Sequence, residues 1–144
     1  FCATGVITDG EMEERIRRHQ RERPPHWTTV EVPYGFTPLA PFALSGKAVL
    51  LDCVSFLVSN ILLEEGNEKQ AEAKVLGEFE NLFFRQKEEG FFLVLVSNEV
   101  GMGVVPESPL GRSFRDLLGR VNQWLAERVD QVYFVVAGIP WKLK

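Results

Sequence analysis

Three stretches of the chain are apolar without interruption, and between them the apolar positions recur at helical spacing. Lys47–Asp52 (KAVLLD) is a continuous apolar run closed by a carboxylate, the pattern of a strand buried on both faces of a parallel sheet. Phe91–Val96 and Val132–Ala137 repeat it. A helix is predicted from Val54 to about Glu64. A longer one runs from about Glu68 to Glu88, with Ala71, Val75, Leu76, Phe79, Leu82 and Phe83 at helical spacing. Leu110, Phe114, Leu117, Leu118, Val121, Leu125 and Val129 mark one face of a further amphipathic helix. Strands that alternate with helices predict α/β architecture around a mostly parallel sheet, in which ligands bind at the carboxyl ends of the strands. The runs ending at Asp52, Asn98 and Gly138 are expected to be neighbouring parallel strands.

Ahead of these, Phe1–Thr4 reads as the end of a buried strand. From Asp9 to about Arg23 the composition is helix-forming. Met12, Ile16 and His19 share one face, and Glu11/Arg15 and Glu14/Arg18 stand at i,i+4 spacing on the other. Pro24 and Pro25 end that helix. Trp27–Val32 has β-branched strand character and leads into a loop holding Pro33, Gly35, Pro38, Pro41 and Gly46. At 144 residues the whole chain, 1–144, fits one α/β domain.

Composition narrows the functional classes. A net charge of −4 lacks the excess of Lys and Arg that a nucleic-acid or membrane-surface binder needs. The two cysteines, Cys2 and Cys53, form no CxxC pair and no Cys/His cluster, so neither a disulfide framework nor a structural zinc site is expected. An intracellular, cytoplasmic protein is the expectation. No run of 18 or more apolar residues occurs.

Four features carry candidate chemistry. Ser45-Gly46-Lys47 resembles a phosphate loop but lacks its upstream glycine and leads into a strand rather than a helix. Asp52, ending an apolar strand, is either a Walker-B-type Mg²⁺ carboxylate or a helix N-cap. His19 lies among Arg15, Arg17, Arg18, Arg21 and Arg23, five of the sixteen basic residues within nine positions. That cluster is either a solvated helix face with a core-facing histidine, or a nucleophilic imidazole whose neighbouring guanidinium groups favour its neutral form and hold charge developing on a phosphoryl group. Glu31 is either an ordinary exposed strand carboxylate or a contact to a base or ribose.

Taken together, DGEMEERIRRHQRERPPHW (Asp9 to Trp27), LLDCVSFLVSNIL (Leu50 to Leu62), VSNEVGMGVVPESPLGRSFRDLLGRVNQWLAE (Val96 to Glu127) and VYFVVAGIPWKLK (Val132 to Lys144) closely resemble the bifunctional adenosylcobinamide kinase / adenosylcobinamide-phosphate guanylyltransferase family of cobalamin biosynthesis. The resemblance implies a P-loop NTPase fold of the RecA-like kind. It implies that His19 attacks the α-phosphate of GTP, carries GMP covalently and passes it to adenosylcobinamide phosphate, and that adenosylcobinamide is phosphorylated from a nucleoside triphosphate, ATP or GTP. By position it makes Ala3, Thr4 and Gly5 a nucleotide-binding strand end, Gln20, Arg21, Glu22 and Arg23 nucleotide contacts, and Glu31 and Asp52 acidic nucleotide-site positions, with Asp52 at Mg²⁺. It further implies a homotrimer.

Members of that family begin with a strand and a GGxRSGKS-type loop, and no such sequence precedes Phe1. The expectation is a natural protein extending further at its amino end. Residues 1–144 then lack a central strand and the phosphate loop, and by themselves have at most trace activity. The alternative from another class is a non-catalytic nucleotide-binding or assembly module of the same descent.

Overall fold

The computed structural model describes all 144 residues, Phe1–Lys144, and the chain divides into two compact units, Phe1–Glu99 and Val100–Lys144. In the first, β1 (Cys2–Ala3), β2 (Val30–Glu31), β3 (Ala48–Asp52) and β4 (Phe92–Val96) form one sheet in the order β2-β1-β3-β4, every neighbouring pair parallel. This is the α/β arrangement expected, a parallel sheet with helices between its strands: α1 (Gly10–Glu22), α2 (Val54–Glu65) and α3 (Glu68–Glu89). The strand expected over Trp27–Val32 narrows to two paired residues.

Local signals explain the helix limits. Asp9 caps α1 by accepting from the Met12 N–H at 2.8 Å. α2 is apolar on nearly every side, and Val54, Leu57, Val58, Ile61 and Leu62 are all buried. Gly66, in the left-handed conformation at φ 60°, ends α2, and the next residue, Asn67, caps α3 through bonds from the N–H groups of Lys69 and Gln70. α3 packs on α2 through a stripe of Ala71, Val75, Phe79 and Leu82, all buried.

The polar side of α3 shapes the loop after β2. Glu78 accepts from the Phe36 N–H at 2.6 Å, Arg85 donates to the Leu39 and Phe42 carbonyls, and Glu89 accepts from the Leu44 N–H at 2.8 Å. Arg85 also pairs with Glu89, and this pair together with the Leu44 N–H holds the Glu89 carboxyl below its usual range. Phe36, Leu39 and Leu44 thereby become core residues although they lie in a loop. Gly35 is required here: its φ is 153°, and a Cβ would lie 2.5 Å from the Glu78 carboxyl. Gly35→Ala is expected to cost about 1–3 kcal/mol, the range for disturbing a buried hydrogen bond and a special backbone position. Urea unfolding of the variant beside Gly46→Ala checks this, since Gly46 also has a positive φ, 68°, but open space where a Cβ would stand. Equal losses would count against the Glu78 account.

Two expectations about strands are corrected. β4 is not buried on both faces: Phe92 is 69% exposed, and Val94 and Val96 are exposed with it. β4 ends the strand order, so only β3 pairs with it. The run ending at Gly138 is no parallel neighbour at all. β5 (Tyr133–Val136) pairs antiparallel with β6 (Ile139–Lys142) in a separate two-stranded sheet, and the hairpin is largely exposed. Between Val136 and Ile139 stand only Ala137 and Gly138, with φ of 51° and 78°. Positive φ at both central residues is the two-residue turn whose twist suits a hairpin. In this second unit Ser108 caps α4 (Pro109–Arg128), which buries Leu117, Leu118, Val121 and Leu125. Lys144 Nζ reaches back to the carbonyls of Ala126, Glu127 and Val129 at the end of that helix. No helix is long and apolar enough to cross a membrane.

Candidate functional site

The carboxyl ends of three strands meet at one place. In the sheet register Ala3 lies beside Glu31 on one side and Asp52 on the other, so β2 and β3 deliver their acidic residues to either flank of β1. Thr4 and Gly5 follow directly. Ala3 is half-buried, Thr4 fully buried, Asp52 half-buried and Glu31 exposed. Three segments distant in sequence, Ala3–Gly5, Glu31 and Asp52, thus stand together at one end of the sheet.

Asp52 is not a helix cap. The residue at the start of α2 is Cys53, and no side chain caps that helix. Of the two readings open for Asp52 in sequence, the capping one is therefore removed. Thr4 is turned inward: its Oγ1 accepts from the Cys53 N–H at 2.8 Å and donates to the Cys53 carbonyl at 2.9 Å. Its hydroxyl is thereby spent within the fold.

Arg23, just past α1, lies within electrostatic reach of both acids and shares the cleft wall with Glu31. Partial burial pulls its guanidinium below the usual arginine range, and the carboxylates of Asp52 and Glu31 work the other way. The group lies 3.9 Å above the Phe1 ring, reaches Thr29 Oγ1 at 3.4 Å, and keeps a buried Nε that has no hydrogen-bond partner. Gln20, Arg23, Pro24, Pro25, Trp27, Thr29 and Glu31 line an open cleft of about 520 Å³. Trp27 stacks on Phe1 with ring centroids 6.1 Å apart and supplies the flat apolar wall.

His19 does not face the core. It is exposed in the last turn of α1, a helix with no buried residue, which removes the core-facing alternative. Ile16 lies against Gly5, its Cδ1 only 3.5 Å from where a Cβ on that glycine would stand. His19, three residues on, shares that side of the helix, and Gln20 beside it lines the cleft. Arg15, Arg18, Arg21 and Glu22 are exposed. The ion pair on α1 is Glu13–Arg17 at 2.6 Å, not the Glu11/Arg15 and Glu14/Arg18 pairs that spacing allowed.

No three His, Cys, Asp or Glu side chains gather closely enough to hold a metal by themselves. Mg²⁺ commonly takes one or two carboxylates and completes its shell with water and phosphate oxygens, and Asp52 fits that more modest role. Sequence reasoning missed the cleft walls Pro24, Pro25, Trp27 and Thr29, although the first three stood in the RPPHW string. It also missed Asn60, on α2, whose Nδ2 donates to the Thr4 carbonyl at 2.8 Å and the Pro33 carbonyl at 3.0 Å.

Comparison with known proteins shows the family. A family model described as cobinamide kinase / cobinamide phosphate guanyltransferase matches residues 1–143. Proteins named bifunctional adenosylcobalamin biosynthesis protein CobU, from Escherichia coli K12 and from Salmonella typhimurium LT2, are each 40% identical to the chain over 153 positions, covering all of it and 84% of their own length. The bifunctional adenosylcobalamin biosynthesis protein CobP of Pseudomonas aeruginosa PAO1 is 37% identical over 150 positions, covering the whole chain and 81% of that protein.

Proposed function

We propose, since the chain belongs to the cobinamide kinase / cobinamide phosphate guanyltransferase family, that it guanylylates adenosylcobinamide phosphate through a covalent histidine and serves the phosphorylation of adenosylcobinamide on the same RecA-like P-loop scaffold. The observation that carries this reading is the register that sets Glu31 and Asp52 on either side of Ala3, with Arg23 within electrostatic reach of both. A triphosphate needs cations to meet its charge and acids to meet its sugar, base or Mg²⁺, and both kinds of group stand at one end of the sheet.

The chemistry is two displacements at one phosphorus. A ring nitrogen of His19 attacks the α-phosphorus of GTP. The bond to the bridging oxygen breaks and pyrophosphate leaves with the electron pair. A phosphate oxygen of adenosylcobinamide phosphate then attacks the same phosphorus, the P–N bond breaks, and the imidazole is regenerated. Arg23, Arg21 and Gln20 meet the phosphate oxygens as charge develops on them. The backbone of Ala3, Thr4 and Gly5 lets the nucleotide approach closely, and Glu31 and Glu22 meet its sugar or base. Asp52 would hold the Mg²⁺ that accompanies the phosphates, and the chemistry the ion would supply there is neutralisation of phosphate charge. ATP or GTP serves as the kinase donor.

The test is to mix the intact protein with GTP, Mg²⁺ and adenosylcobinamide phosphate. Pyrophosphate and the guanylylated corrinoid are expected in equal amounts, and no product with well-folded protein would refute the reading. Arg23→Ala is expected to raise the KM for GTP by about ten- to a hundred-fold, the range for removing a hydrogen bond to a charged group. It also leaves Asp52 and Glu31 to repel the triphosphate. An unchanged KM would take Arg23 out of the nucleotide site.

A further inference from the structure

β1 and β2 are only two residues long, so few ladder bonds fix their register, yet they carry Ala3 and Glu31 and lead directly into Thr4 and Gly5. Side chains supply further ties. Both protons of the Asn60 amide go to strand-end carbonyls, that of Thr4 after β1 and that of Pro33 after β2. With an acceptor on each side, the nitrogen rather than the oxygen of the amide must face them. The Thr4 hydroxyl continues the connection to β3 by bonding both the N–H and the carbonyl of Cys53, the residue after Asp52. A single polar chain, Pro33 to Asn60 to Thr4 to Cys53, thus crosses the ends of β2, β1 and β3.

We propose that Asn60 and Thr4 are positioning residues that hold these three strand ends in register, so that Glu31, the Ala3–Gly5 backbone and Asp52 present one preformed surface to the nucleotide. The functional half rests on the nucleotide reading above; the register half stands without it. The amide's donors are spent on the two carbonyls, so it acts through the strand ends and not by donating to a ligand. Asn60→Asp replaces both donors by acceptors that face carbonyl oxygens, and Thr4→Val keeps the shape of the side chain while removing both bonds to Cys53. Each change loosens the strand ends without adding or deleting a group that touches the ligand.

The experiment compares the intact wild type with Asn60→Asp, Asn60→Leu, Thr4→Val and, as a control on the same helix, Leu57→Ala. Leu57 is fully buried, so its truncation lowers the melting temperature through a cavity while leaving the polar chain intact. Two readouts are taken at a temperature where circular dichroism shows each protein folded. The first is amide hydrogen exchange at Thr4 and Val32, whose N–H groups bond the Asp52 and Ala3 carbonyls across the strand ends. The second is the dissociation constant for GTP by calorimetry. The expected result is exchange at those two amides at least tenfold faster in the Asn60 and Thr4 variants, and GTP bound about tenfold or more weakly. Leu57→Ala is expected to keep both within about twofold of wild type. Exchange and affinity like wild type in the Asn60 and Thr4 variants would overturn the proposal, as would an equal change in both readouts from Leu57→Ala. A wild type that binds no GTP would instead refute the nucleotide reading, and the exchange rates would still decide the register. If Asn60→Asp does not fold, Thr4→Val and Asn60→Leu carry the same comparison.

Discussion

His19→Ala is expected to abolish covalent labelling of the intact protein by GTP carrying its label at the α-phosphate. In the wild type the adduct is expected to be acid-labile and base-stable, as a phosphorus–nitrogen bond to imidazole requires. His19 stands exposed in the last turn of α1, one residue before Gln20 of the cleft and one turn beyond Ile16, which lies on Gly5. Arg21 and Arg23 follow on the same segment, so the proposed nucleophile and the charges proposed to stabilise its transition state come from one short piece of chain. Removing a covalent nucleophile commonly costs about 10³-fold or more in turnover, which places guanylyl transfer by the variant below ordinary detection. The chain has two histidines, and the other, His26, supplies the control. His26→Ala is expected to label as the wild type does. Undiminished labelling of His19→Ala, or loss of label in His26→Ala alone, would move the nucleophile elsewhere.

Phe79→Ala is expected to destabilise the protein by about 3–5 kcal/mol, the usual cost of emptying a large aromatic site in a core. Phe79 is completely buried on α3 and meets the Phe36 ring edge-on at 5.3 Å, with Phe83 tilted against it at 6.5 Å. Its neighbour Glu78 holds the Phe36 N–H. Losing the ring therefore opens a cavity and removes the edge-on aromatic contact that Phe36 makes from the loop after β2. Urea unfolding is the measurement, with an unchanged slope against denaturant showing that the unfolding reaction is the same. A loss below about 1 kcal/mol would mean that the loop collapses onto α3 and fills the space. Because that loop begins two residues after Glu31, a variant that loosens it is also expected to bind GTP less tightly than its stability alone explains.

Several elements were legible from residues alone because their determinants are local. The helix-forming run that opens at Asp9, Pro24 and Pro25 after it, and the unbroken apolar run of β3 act through backbone conformation or burial pattern, which neighbours in sequence decide. The family signature reached further, to the candidate residues His19, Glu31 and Asp52, although it could not say whether they meet. The hairpin of β5 and β6 was misread because VYFVVA has the apolar content of a buried parallel strand. The turn at Ala137–Gly138 depends on two positive φ angles, and with alanine at the first position composition hardly signals it.

What tertiary structure alone decided is how distant residues are brought side by side. Pairing between strands, a long-range property, places Glu31 and Asp52 on either side of Ala3, both within electrostatic reach of Arg23. Thr4 and Asn60 look in sequence like ordinary polar residues, one at a strand end and one within an apolar helix. Their roles come from carbonyls 27 to 56 positions away that only the folded chain brings within hydrogen-bond reach. A period of apolar residues records which side of an element is buried, and it holds no information about which buried polar atoms will face each other. That pairing is set by the order and register of the strands, and so the sequence determined the elements and the family while the assembled sheet determined the site.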